Sequence, residues 1–226
     1  FGRVNYNYNE TYMASFILRA DGSSNFAPGH RWGYFPSVSA GWVISNESFW
    51  NENIKGVDFL KLRASYGSNG NDRVSSFQYV GLITSNNNYG GYPFGNSMGD
   101  AATGSYAYRG TNPNLKWETQ TMINLGADAR FLRDRLKLEL DWYNRTTKDW
   151  LVNPPQPADF GVTPAYINGG DVQNTGFEIT LGWNEQVNKD FYFDTNLSLS
   201  YNKNKVLKIA NAEKILRGPV SVLWEG

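Results

Sequence analysis

The chain has no cysteine and a single histidine among its 226 residues. No disulfide framework and no thiol chemistry are available, and a zinc site built from cysteine and histidine has too few ligands. Neither charge sign is in excess, with 21 Lys and Arg against 21 Asp and Glu, and no basic run occurs. That balance argues against nucleic acid as a partner. No stretch approaches ~18 consecutive apolar residues, so no transmembrane helix is expected. The chain opens in mid-pattern at Phe1-Gly2-Arg3-Val4, without a signal peptide, and stops at Leu223-Trp224-Glu225-Gly226. It reads as an internal fragment. What is abundant is aromatic: 15% of the residues, including 8 Trp and 14 Tyr, in a polar background. Such a composition suits a β-protein with interfacial belts or a sugar-binding surface, and it does not suit disorder.

The stretch Lys116–Arg145 organises the rest. From Lys116 to Arg130 the odd positions are Trp117, Thr119, Thr121, Ile123, Leu125, Ala127 and Ala129. The even positions include Glu118, Gln120, Asn124, Asp128 and Arg130. After a link at 131–135, Leu136, Leu138, Leu140 and Trp142 interleave with Lys137, Glu139, Asp141, Tyr143 and Arg145. A period of two places alternate side chains on opposite faces, so the stretch predicts a hairpin with one apolar and one charged face. The same alternation runs through Gly2–Tyr8, Tyr12–Ala20, Tyr34–Ile44, Leu60–Gly67, Phe177–Trp183 and Phe191–Tyr201, giving about eight antiparallel strands. Ser45 to Asp58 has room for one helical turn capped by Ser45 or Asn46. The tail Leu207–Leu216 reads as helical. Long loops are expected at about 70–115 and 146–172, the second punctuated by Pro154-Pro155, Pro157 and Gly169-Gly170.

Two architectures accommodate this pattern: a soluble β-sandwich that binds carbohydrate, or an incomplete, all-β segment of a transmembrane barrel. Connections expected to be shorter after strands one, three, five and seven, and longer after two, four and six, favour the barrel. Outward aromatics near strand ends do too: Trp117, Trp142, Tyr34, Tyr66 and Tyr201 at the long-loop end, and Tyr12, Trp42 and Trp183 at the other. The opposite face carries Glu118, Asp128, Glu139, Asp141, Arg145 and Glu178, which would be costly to bury in a dry core and suit a wet lumen. An open piece of such a wall, with two bare edges and an apolar face, is expected to aggregate in water without detergent.

Catalytic constellations are weak. Glu139 and Asp141 share a face near Glu118 and Asp128, yet a glycosidase needs its carboxyl pair in a cleft, and a hydrated wall of alternating charge explains them better. His30 with Asp21 has no nucleophile elbow beside it. The Gly-rich segment from Tyr89 to Gly110 lacks phosphate-loop spacing and reads as a surface loop. Asp100 and Asp171 are loop carboxylates without the spacing of a calcium loop. No catalytic residue, metal or cofactor is assigned. Ligand contact is the role that remains. Trp32, Tyr89, Tyr92, Phe94, Tyr106, Tyr108, Trp150 and Tyr166 fall in the long loops, where exposed aromatics meet a ligand or a covering partner. Asn69, Glu118 and Arg145 lie near the same end.

Several runs resemble the SusC-like (SusC/RagA-type) TonB-dependent outer-membrane transporters. They are Asp21-Gly22-Ser23-Ser24 with Phe26-Ala27-Pro28, Arg31-Trp32-Gly33-Tyr34-Phe35-Pro36, Leu60-Lys61-Leu62-Arg63, and Asn112-Pro113-Asn114-Leu115-Lys116-Trp117-Glu118. Asp141-Trp142-Tyr143-Asn144, Asn168-Gly169-Gly170, Asn174-Thr175-Gly176-Phe177-Glu178 and Ser200-Tyr201-Asn202-Lys203 continue the match in order. The resemblance implies a barrel of about 22 strands, of which this chain supplies about eight. It also implies a plug domain outside this chain, energy from TonB, a SusD-like surface lipoprotein as lid, and oligosaccharide or peptide substrates.

Overall fold

The computed structural model describes residues 1–53, 56–85, 91–93, 101–155, 161–211, 214–217 and 222–226. Eight strands build one antiparallel sheet in chain order: β1 (Gly2–Tyr8), β2 (Tyr12–Gly22), β3 (Trp32–Val43), β4 (Val57–Asn71), β5 (Glu118–Phe131), β6 (Leu136–Lys148), β7 (Gly170–Gln186) and β8 (Tyr192–Ile209). The sheet is a meander with β1 and β8 at its edges. β2 to β8 run from 11 to 18 residues, at or beyond the ~9–11 a bilayer crossing needs.

Register separates the two faces across the whole sheet. Tyr6, Ala14, Ala40, Ala64, Leu125, Trp142, Phe177 and Tyr201 form one transverse row. One residue over, Asn7, Met13, Gly41, Arg63, Gly126, Asp141, Glu178 and Ser200 form the next, on the opposite face. A slip of one residue at β4, β6 or β7 would bring Arg63, Asp141 or Glu178 into the apolar row, so the pattern itself favours this register. The apolar face is bare: Leu125 is 50% exposed and Leu199 56%. No second sheet covers it among the described residues, which removes the sandwich.

At one end the connections are 9–11, 44–56, 132–135 and 187–191; at the other they are 23–31, 72–117 and 149–169. The asymmetry holds with one exception, because 44–56 is longer than 23–31. Its extra length folds into a 3-10 turn, Ile44–Asn46, and a helix, Ser48–Asn53. Ser45 and Asn46 lie inside the 3-10 turn and do not cap the helix. Asn46 instead donates to the Glu10 carbonyl and ties this connection to the 9–11 turn. In that turn Asn9 and Glu10 both have positive φ, the handedness that matches strand twist in a tight hairpin.

Aromatics mark both ends of the apolar face. Toward the short turns the Tyr12 and Trp42 rings stack at 6.3 Å. Both polar tips donate to one Glu47 oxygen, from Tyr12 Oη at 2.6 Å and Trp42 Nε1 at 3.0 Å. The Tyr12 hydroxyl first, then the Trp42 indole, hold the Glu47 carboxyl below the usual carboxylate range. Toward the long loops stand Tyr34, Tyr66 and Trp142, with Phe177 and Tyr201 stacked at 5.5 Å.

Three expectations need correction. Trp32 opens β3 on the apolar face, in line with Tyr34, and its ring lies over Gly22. Trp117 precedes β5 and turns into a cluster of loop residues, so it is no part of the outer belt. The tail is not helical: β8 runs on to Ile209, and Ile215–Arg217 pairs with Val222–Trp224. Ile209 and Lys208 pair with Gly170 and Asp171 of β7, while Leu207 falls at the register shift before Val206. A ladder partner decides what an isolated apolar run cannot.

Candidate functional site

The long-loop end carries a small core of its own. Phe26 and Leu115 are 0% and 1% exposed, Leu151 joins them, and Val74, Trp117 and Tyr166 pack around the three. The Trp117 ring meets Phe26 at 5.4 Å and Phe35 at 5.5 Å, and its Nε1 donates to the Arg31 carbonyl. Phe35 fits because Gly33 and Gly70 have no side chain; a Cβ on either would collide with its ring. Burying these aromatics is the main apolar stabilisation of the loops.

Carboxamides and one carboxylate stitch the loops into a single cap. Asn112 Oδ1 accepts the Asn114 amide and its Nδ2 donates to the Tyr166 carbonyl. Asn168 Nδ2 donates to the carbonyls of Lys116 and Asp149, while its Oδ1 accepts the Lys116 amide. Gln78, 1% exposed, donates to the Ser75 carbonyl and accepts the Tyr166 amide. Glu118 accepts from Asn71 Nδ2 at 3.1 Å and from the Leu151 amide at 3.0 Å. Asn25 Nδ2 reaches the Asp72 carbonyl, so the 23–31 loop is tied in as well. The buried Gln78 thus keeps partners for both ends of its carboxamide.

Below the cap, Arg63 spans three strands of the charged face. It donates to Asp128 from Nε at 2.9 Å and from Nη2 at 2.8 Å, and to Asp141 from Nη1 at 3.2 Å and Nη2 at 3.0 Å. Gly126 lies in register between Arg63 and Asp141. A Cβ there would come within 2.7 Å of both the guanidinium carbon and an Asp141 oxygen. The arginine therefore lies flat across β5 because that position is glycine. Fork geometry of this kind fixes the guanidinium plane between the two carboxylates. Glu139 and Glu178 sit exposed on the same face, in register with Asp128 and Asp141. Arg63 escapes sequence reasoning because its partners are 65 and 78 positions away. Only the register brings them together.

A cleft of about 340 Å³ opens where cap and charged face meet, lined by Glu118, Thr147, Trp150, Val172, Asn204, Val206 and Leu223. Two residues expected near a ligand, Glu118 and Trp150, come together here. Arg145 lies two residues before Thr147 on the same face, in register with Met122 and Asn174; Asn69 pairs with Gln120 higher up. Tyr106 and Tyr108 project from a separate ribbon, Leu82–Ser85 paired with Ser105–Arg109, and both are exposed. Tyr166 belongs to the cap core and supports rather than displays. Tyr92 lies in the ribbon Gly91–Pro93 with Ala101–Thr103, while Tyr89 and Phe94 fall outside the described residues, as does Asp100.

An in-register sheet with a bare apolar face, aromatic ends and a charged opposite face defines a section of β-barrel wall. The chain belongs to the TonB-dependent receptor-like β-barrel family, whose model matches residues 1–218. It is 35% identical over 216 residues to the TonB-dependent receptor SusC of Bacteroides thetaiotaomicron, covering 94% of this chain and 21% of SusC. Among solved structures it matches the RagAB peptide transporter with a TM-score of 0.85 and 30% identity, over 99% of this chain and 24% of that one. The siderophore receptor PirA of Pseudomonas aeruginosa matches at a TM-score of 0.52 and 18% identity, covering 94% of this chain and 37% of that one, and shows the fold alone. The chain spans about a fifth of the length of the curated relatives it matches. These relatives are named receptors and transporters, which supports a non-enzymatic role.

Proposed function

We propose that the chain forms part of the wall and outer mouth of an outer-membrane importer of oligosaccharides or peptides. In this reading the apolar face meets lipid, the charged face lines a wet lumen, and the loop cap faces outward. TonB supplies energy through another part of the importer, and a SusD-like lipoprotein closes over the cap. The likeness to SusC and to the RagAB peptide transporter supports this assignment. The observation that carries it is the register that keeps two opposite faces apart through the middle of all eight strands, with shifts only near strand ends, at Val57/Phe59 and Asp171/Val172. Bilayer lipid is the solvent that tolerates the one, and a water-filled lumen the other. The role of this section is passive: a stiff wall, with Tyr106 and Tyr108 offered to ligand or lid and Trp150 to ligand in the cleft.

Electrophoresis of the full-length parent from the outer-membrane fraction, unheated and boiled, tests the reading. A faster-migrating unheated band in that fraction is expected. A soluble protein without a heat-dependent shift would overturn the proposal.

A further inference from the structure

On β8 the face that carries the apolar row changes character in three steps toward the long loops. Leu197 and Leu199 come first, then Tyr201, stacked on Phe177 at 5.5 Å, and then Lys203 and Lys205. Parity keeps all five on one face, opposite Leu181, Ile179, Phe177, Thr175 and Gln173 of β7. Both lysines are exposed, and neither takes part in an ion pair among the described residues. Lys148, at the end of β6, is a third exposed ammonium on this face. The carboxylates of this end are committed. Asp171 stands opposite Lys208 and accepts the Asp149 amide. Asp149 itself pairs with Lys116, and Glu225 with Lys214. Elsewhere the same face is different. At the short-turn end its Glu185 is paired with Arg135 at 3.3 Å. On β4 and β5 the positions beyond Tyr66 and Ile123 are Ser68, Gly70, Thr121 and Thr119, without charge. Unpaired positive charge is thus concentrated on one segment of the wall, immediately beyond its aromatic belt.

Resting on the importer reading, we infer that Lys203 and Lys205, with Lys148 on the same face, form a docking site for the phosphate of an outer-leaflet lipid. A strand advances ~3.4 Å per residue, so the two positions stand about 7 and 14 Å beyond Tyr201. That is headgroup depth when Tyr201 marks the interface and Leu197 and Leu199 meet acyl chains. The flexible lysine stems follow a mobile phosphate, and each ammonium at that depth adds attraction for an anionic headgroup. A second copy of the barrel is the poorer occupant, because contact across a two-fold axis would set lysine against lysine.

The test uses the full-length importer purified in a nonionic detergent, after the heat-dependent shift has been confirmed, so that failure of the importer reading is recorded separately. Lipid A bearing phosphate, the same lipid after dephosphorylation, and inorganic phosphate are added in turn, and bound lipid is counted by native mass spectrometry. The phosphorylated lipid is expected to bind about tenfold or more tighter than the dephosphorylated form. Inorganic phosphate should not displace it, having no acyl chains to rest on Leu197 and Leu199. The Lys203→Gln, Lys205→Gln double variant should lose the preference and keep the affinity for dephosphorylated lipid. The Lys203→Arg, Lys205→Arg variant should keep both, and Lys189→Gln, at the short turns, should change neither. Equal binding of the two lipids, displacement by inorganic phosphate, or an equal loss in Lys189→Gln would overturn the inference. So would a preference that survives in the double Gln variant, with or without a change of oligomeric state.

Discussion

Leu125 and Leu199 are held in backbone ladders yet half exposed, whereas Phe26 and Leu115 in the cap are sealed from solvent. The two regions are held together by different means. In the wall, backbone ladders fix position, and the apolar side chains gain their environment from outside the chain. In the cap there is little ladder, and three buried side chains with a handful of carboxamides do the work that strands do below. The chain thus uses a protein core only where neither lipid nor lumen supplies a solvent.

Substitutions can separate the two regimes. The largest effect is expected from Phe26→Ala, about 3–5 kcal/mol by analogy with buried aromatics elsewhere, confined to the cap. Limited proteolysis should then cut within 72–117 or 149–169 while the heat-dependent mobility shift survives. Loss of both together would mean that cap and wall fold as one unit. Leu125→Arg should act the other way, destabilising insertion by about 2–4 kcal/mol if Leu125 lies at mid-bilayer. Refolding into lipid vesicles measures it, and the protease pattern of the correctly inserted fraction should be unchanged. Gly126→Val comes next, at about 1–3 kcal/mol, because the new side chain drives Arg63 off Asp141. The Gly126→Val, Arg63→Ala double variant should recover part of that loss in the same vesicle assay, and simple additivity would show that Arg63 does not need the vacancy.

The smallest effect is expected at the short-turn end. Since the folded Glu47 carboxyl titrates below the usual carboxylate range, its anion favours the folded arrangement. That contribution is complete above the ordinary carboxylate pKa and fades as pH falls through the lowered folded value. Tyr12 and Trp42 should then lose their shared acceptor, changing Trp42 fluorescence in acid. Glu47→Gln should remove that pH step without altering the mobility shift.

Much of the wall was legible because a strand's period is local: Leu136, Leu138, Leu140 and Trp142 declare a face without reference to anything else. The cap was not, since Leu115 and Phe26 meet only through tertiary contact and carry no period. Trp117 shows the boundary. By parity it belongs with Ile123 and Leu125, but it lies one residue before the ladder begins, and the Asn112 turn sends it inward instead. Trp32 errs in the opposite sense, looking like a loop aromatic until the pairing with Gly22 draws it onto the outer face. Of the candidate site, Glu118 and Trp150 were readable as lying toward the long-loop end, where both line one cleft. The Arg63 bridge to Asp128 and Asp141 was not, because only the register brings those three residues together.

Glycines on the charged face recur beside long side chains: Gly41 by Lys61, Gly126 under Arg63, and Gly176 beneath Tyr143, whose hydroxyl reaches Asn202. Each lets its neighbour recline along the strands instead of standing away from them. The charged face is therefore flatter at these positions than its inventory of residues suggests, with Arg63 running tangentially, like inlay rather than bristles. In the importer proposed above, a cargo would pass a wall with little relief at these positions, because the glycines leave room for their neighbours to lie down.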